Sequence, residues 1–357
     1  MAAALSARPA RAPAPPLVIR GAPASCRGRI FACVDGPRER SNAQRTPLPI
    51  TTKSQPHVGP YLLLGGAQLA VGAAAIFARF ALTGAAPLAV AASRLCIAAF
   101  VLLLIAAGRG GRRTTTRVTR AQAVALSLAG IALGAHFAGW IASLDYTTIA
   151  ISTLLVASTP IWTALYDAIA RRRPPSRLAL VAFVAGGIGL AMVVAFNRTP
   201  PPVTGHALLG AALALSGSAA MAVYLLFVRE VRNALDTRTI VTHTYSWAAV
   251  VLAAAAAVAH QPPPRLADAA AWGGILAMAF ISQLLGHTAI NASLRWFSPS
   301  AVSFTTLIEP VSAAILAFIV FGEALSPAAI GGGVILLASV AVVLREDRAG
   351  ATAQAAI

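Results

Sequence analysis

The sequence predicts an all-α integral membrane protein with ten transmembrane helices arranged as two inverted five-helix repeats. Three observations lead there. Of 357 residues, 58% are hydrophobic and only 11% charged, against roughly 25% charged in soluble globular chains. The apolar residues fall in runs near the roughly 20 needed to cross about 30 Å of hydrocarbon. The second half of the chain also repeats the first at a nearly constant offset.

Residues 1–57 hold nine basic residues against Asp35 and Glu39, are rich in Ala, Pro and Arg, and contain no long apolar run. No secretory signal pattern is visible in them. They read as a disordered cytoplasmic tail, with translation starting near Val58 as one version of that reading, or as an organelle transit peptide, since such segments are Arg-rich and acid-poor.

Ten apolar runs follow, at about 61–80, 86–107, 121–143, 149–170, 178–196, 206–228, 239–259, 269–291, 299–321 and 327–345. The connections between them alternate in charge. One side receives Arg109, Arg112, Arg113, Arg117 and Arg120, then Arg171, Arg172, Arg173 and Arg177, then Arg229, Arg232 and Arg238, with Arg295, Arg345 and Arg348 after the later runs. The other side receives Arg79, Arg198 and Arg265. By the positive-inside rule both termini are cytoplasmic, with 346–357 a short tail. The membrane expected is the plasma (inner) membrane, or a plastid membrane if the N-terminal segment is a transit peptide. A net charge of +17 would suit a nucleic-acid binder, but the basic residues lie between apolar runs and form no binding face, so no nucleic acid is expected. Cys26, Cys33 and Cys96 have neither a disulfide nor a metal-ligand spacing, and no metal or cofactor is expected.

The repeat is clearest around two prolines. ISTLLVASTPIWTALYDAIARRRPPS (Ile151 to Ser176) lies over AVSFTTLIEPVSAAILAFIVFGEALS (Ala301 to Ser326), with Pro160 on Pro310 and Thr159 on Glu309 at an offset of 150. His136 matches His287 at an offset of 151. The two units are 60–196 and 206–345. Five crossings are an odd number, so the second unit must enter the membrane in the opposite sense. The aligned turns agree: RRRPPSR is basic, whereas GEALSP has no basic residue. Inverted repeats with helices interrupted at matching positions are the pattern of secondary transporters, whose substrate site lies near the midplane between repeats. Pro310 is about eleven residues into its run, roughly 16 Å deep. Pro160 lies at a similar depth, and each proline releases one carbonyl, of Val156 and of Thr306.

These residues resemble the drug/metabolite transporter superfamily, specifically its proteins with two EamA-type repeats. LIEPVSAAILAFIVFGEALSP is similar to that family's signature through Glu309, Pro310, Gly322, Glu323 and Ser326, and Arg94 stands where the family often has an arginine in its second helix. The first copy departs from the pattern with Arg173 where a glutamate is common. The resemblance covers about residues 60–345 and implies a transporter of small metabolites, with export as the direction. It leaves the substrate open among amino acids, drugs and other solutes, and a homodimer open as well.

Several residues can carry the chemistry. Glu309 is an ionisable group in mid-membrane, with Thr305 and Ser312 on its face; it either binds and couples or braces the kink in neutral, hydrogen-bonded form. Gln283, His287 and Asn291 recur every four residues, a stripe that cannot face lipid and so lines a cavity or joins helices. His136 and Trp140 are one turn apart, and the two histidines, on opposite sides of the midplane, either couple a proton or are satisfied core residues. Arg94 is too deep to reach water easily and needs an anionic substrate or a helix-end carbonyl. Trp162, Tyr224 and Tyr245 can stack on a solute or simply pack. Asp167 with Arg171 anchors a helix end, and Gly130 with Gly134 forms a GxxxG.

The expected function is secondary transport of a small organic solute by alternating access, with a proton as one option for the coupling ion. An intramembrane enzyme is disfavoured by the lack of an HExxH, an aspartate pair or a Ser/His/Asp set. A channel or sensor does not require inverted, kinked halves.

Overall fold

Backbone groups placed in hydrocarbon have no water to bond to, so these apolar runs satisfy themselves as helices. The computed structural model describes residues 58–108, 118–146, 149–172, 174–196, 206–321 and 326–355. The N-terminal segment 1–57, Arg173, Gly322 and Glu323 lie outside the described residues.

Among the described residues the first half comprises α1 (Val58–Gly72), α2 (Ala74–Ala81), α3 (Pro87–Gly108), α4 (Arg120–Ser143), α5 (Ile149–Val156), α6 (Thr159–Ala170) and α7 (Arg177–Ala195). The second half comprises α8 (Ala207–Val231), α9 (Thr237–Val258), α10 (Ala269–Ala277), a π-helical stretch Met278–His287, α11 (Thr288–Ser293), α12 (Pro299–Phe304), a 3₁₀ turn Thr305–Leu307, α13 (Ile308–Phe321) and α14 (Pro327–Ala355). α14 continues ten residues beyond 345, where the sequence suggested a tail.

Seven helical rods among the described residues are long and apolar enough to cross a membrane: Val58–Ala81, Pro87–Gly108, Arg120–Ser143, Leu208–Val231, Thr237–Val258, Ala269–Ser293 and Pro299–Val320. The segment 149–170 is cut into two short helices, and Arg177–Met192 is a shorter apolar helix.

Helix starts follow local chemistry. Thr119 Oγ1 accepts from Gln122 N while the Gln122 side chain accepts from Thr119 N, a capping box that opens α4. Asp236 caps α9 through Thr239 N at 2.6 Å, and Asp268 caps α10 through Ala271 N at 3.0 Å. Ser298 caps α12, with Pro299 in the first turn where its missing N–H costs nothing.

Packing crosses between the halves. α4 lies along α8, and the α1–α2 rod lies along α10–α11; α3 runs beside α9, and α7 beside α14. The broken helix α5–α6 leans on α8, as α13 leans on α1. Exchanging the two halves leaves this list of pairings unchanged. Close approach depends on glycine: a Cβ on Gly139 would sit 2.7 Å from Leu213 O of α8, and one on Gly274 would sit 2.5 Å from Phe77 O of α2.

Two hydrogen bonds join the ends of elements that match in the repeat. Ser300 Oγ, in the first turn of α12, donates to Asp167 Oδ2 in the last turn of α6 at 2.9 Å. Ser176, just before α7, donates to Glu346 Oε1 late in α14 at 2.7 Å.

Candidate functional site

Proline decides where two helices give way. It lacks an N–H and its ring crowds the carbonyl four residues earlier. α5 ends at Val156, four before Pro160, and the 3₁₀ turn Thr305–Leu307 includes Thr306, four before Pro310. Hydroxyls cover carbonyls at both breaks. Ser158 Oγ donates to Leu155 O at 2.6 Å and Thr159 Oγ1 to Val156 O at 2.9 Å. Thr305 Oγ1 donates to Val302 O at 2.6 Å and Thr306 Oγ1 to Ser303 O at 2.7 Å.

Both breaks border one internal cavity of about 30 Å³, room for a water or two. His136, Phe137 and Trp140 of α4 line it, together with Val156, Ala157 and Thr159 from the first break. Thr306 and Glu309 reach it from the second, His287 from the π-helical stretch, and Val71, Ala74 and Met221 close the remainder. Glu309 and both histidines, far apart in sequence, therefore share a cavity.

His136 Nδ1 lies 3.0 Å from Gly217 O. A carbonyl can only accept, so this nitrogen carries a proton. The His136 ring is stacked on Trp140 and stands edge-on to His287, at 6.5 Å between centroids in each case. His287 Nδ1 is buried with no hydrogen-bond partner among the described residues.

A second polar layer lies beside the cavity. Arg94, fully buried on α3, donates from Nη2 to Gln283 Oε1 at 2.6 Å and covers the Phe137 ring at 4.2 Å. Tyr245 OH donates to Gln283 O at 3.3 Å. Tyr224 OH donates to Asn291 Oδ1, and Asn291 Nδ2 donates to His287 O, both at 2.7 Å. The stripe Gln283, His287, Asn291 thus turns wholly inward. Ten residues of π-helix carry it, and wider turns of this kind occur often at functional sites.

Not every candidate arrives. Trp162 is 36% exposed on the outside of α6, and the structure does not bring it to the cavity. Tyr224 and Tyr245 are buried in the second layer, not on the cavity wall. Asp167 does more than pair with Arg171 at 3.7 Å: it also meets Arg229 at 3.4 Å and accepts from Ser300.

Two further polar residues, which no sequence motif marks, join the site. Gln68 Nε2 donates to Thr305 Oγ1 at 2.6 Å, and Ser218 Oγ lies 3.0 Å from Ser158 Oγ and 3.2 Å from Thr159 Oγ1. Gln68 and Ser218 are themselves separated by the repeat offset of 150. Each ties the first rod of one half to the broken helix of the other, and lone polar residues matched by the repeat were the available signal.

Comparison with known proteins agrees with this architecture. The model of the EamA-like transporter family matches residues 59–195 and again residues 208–345. An uncharacterized transporter, YyaM of Bacillus subtilis (strain 168), is 24% identical over 267 residues, covering 74% of this chain and 87% of that one. A solved crystal structure superposes with a TM-score of 0.66 at 15% identity, covering 82% of this chain and 99% of its own; at that identity the likeness concerns the fold alone.

Proposed function

The chain belongs to the EamA-like transporter family, and on that premise we propose that it is a secondary transporter exporting a small organic solute by alternating access. In this reading it crosses the membrane ten times as two five-helix repeats of opposite orientation. The Asp167 end and both termini lie on the arginine-rich, cytoplasmic side. The observation that carries the proposal is the meeting of Glu309, His136 and His287 in one cavity bordered by both proline breaks. The orientation is supported by the bonds Ser300 to Asp167 and Ser176 to Glu346, which join the end of one element to the beginning of its repeat partner, or the reverse.

The test is flux into proteoliposomes under imposed pH gradients, with amino acids, nucleosides and cationic drugs as solutes. Saturable movement of at least one is expected; none from any class would overturn the proposal.

Two further expectations concern how the cavity is closed. Thr163 Oγ1 lies 2.9 Å from Ser303 Oγ, and Asp167 one turn further holds Arg229 and Ser300, a polar latch between α6, α8 and α12. Asp167→Asn removes a partly exposed ion pair worth about 1 kcal/mol. A cysteine at Ser303, in a chain with Cys26, Cys33 and Cys96 replaced by serine, should then label about fivefold faster from the arginine-rich side. By contrast, Trp162→Leu should leave flux of any transported solute within about twofold, because an outward-facing side chain makes no contact with the path. A larger loss would bring Trp162 back as a solute contact.

A further inference from the structure

Around Arg94 the bundle holds more hydrogen-bond donors than acceptors to receive them. Only Nη2 of Arg94 has a partner, Gln283 Oε1; Nε and Nη1 have none among the described residues, nor has Gln283 Nε2. All three are N–H groups and can only donate. No ion pair joins Arg94 to a carboxylate among the described residues, so a guanidinium lies at membrane depth without a counter-charge, a costly arrangement.

The cavity lies next to it. Phe137, whose ring the guanidinium covers at 4.2 Å, is itself a cavity wall. On the same wall is His287, its ring 5.2 Å from that of Phe137 and its Nδ1 likewise unpaired. One aromatic ring therefore separates the cavity from a charged, donor-only surface.

We propose that Arg94, Gln283 and His287 form the anchor for the carboxylate of the transported solute, reached when the cavity enlarges and the Phe137 ring turns aside. The assignment rests on the transporter reading above. An acceptor with a full negative charge answers both deficits at once, the unmet donors and the missing counter-charge. Waters would satisfy the donors but leave the charge unpaired. A monoanion fits better than a dianion such as phosphate, since one guanidinium serves this wall and Glu309 borders the same cavity.

The experiment pairs each carboxylate with its own primary amide: acetate with acetamide, benzoate with benzamide, and the common amino acids with their amides. Uncharged nucleosides and ethidium complete the panel. Thermal unfolding of the full-length protein in detergent is read first, then flux into proteoliposomes. The expected result is at least one carboxylate that raises Tm and moves at least about tenfold faster than its amide. Arg94→Gln should cancel that preference and Arg94→Lys restore part of it. Amide and carboxylate behaving alike throughout, or flux confined to nucleosides and ethidium, overturns the anchor while leaving the transporter reading in place. No flux from any class overturns both. These comparisons use the unaltered protein and hold even if a variant fails to fold; a folded Arg94→Gln that keeps the preference also overturns the anchor.

Discussion

Glu309→Gln is expected to abolish proton-driven uptake or exchange, bringing flux down to the leak of protein-free liposomes. The substitution keeps the size of the side chain and its ability to hydrogen-bond, so it removes little besides the capacity to take up and release a proton. Where Glu309 lines the cavity, the matching residue of the first half, Thr159, has a hydroxyl that cannot titrate in this range and is engaged with Val156 O and Ser218. Exchange of solute against solute with no pH gradient should survive in the variant if the carboxyl couples without binding, and fall with the rest if it does both. Unchanged pH dependence would move the coupling role to His136 and His287, which border the same cavity.

The second large effect is expected at the α4–α9 seam. A Cβ on Gly130 would collide with Trp247 Cβ and lie 2.7 Å from Thr244 O. The obstacle includes backbone, so no rotamer change relieves it and α9 must move away. Gly130→Val should therefore cost about 3 kcal/mol or more, seen as a lower Tm in detergent and a loss of monodisperse protein on size exclusion. Gly134→Ala meets Val251 and Ala248 O at 3.3–3.4 Å and should cost under about 1 kcal/mol. Gly187→Ala meets nothing within 4 Å and should stabilise slightly, by the helix propensity of alanine, about 0.5–1 kcal/mol. Equal losses at all three positions would mean that helix approach is not what Gly130 protects.

Much of this arrangement could be read along the chain because bilayer physics leaves few options. An apolar run must be helical, a proline must loosen the carbonyl four residues back, and a glutamine, histidine and asparagine spaced by four cannot face lipid. Arg94 was legible as a residue needing a partner, for the same reason. The identity of that partner was not, because Gln283 lies 189 residues away and periodicity orders residues only within one helix. Gln68 and Ser218 are not legible from one half alone, because a lone polar residue in an apolar run has no pattern until its repeat partner is set beside it. The placement of Trp162 was not legible for a similar reason: it follows Pro160 by two residues, but a helix turns about 100° per residue, and the indole stands 36% exposed on the outside of α6.

By itself, then, the sequence determined the class of solvent, the helical content, the two repeats and the positions of both breaks, since each follows from local cost in hydrocarbon. Only the tertiary structure decided which polar side chains share a cavity. That depends on how rods from different halves pack, through glycines such as Gly130, Gly139 and Gly274 that let backbones touch. Their close approach brings Glu309, His136 and His287 together, and leaves Nε and Nη1 of Arg94 and Nε2 of Gln283 beside them without an acceptor among the described residues.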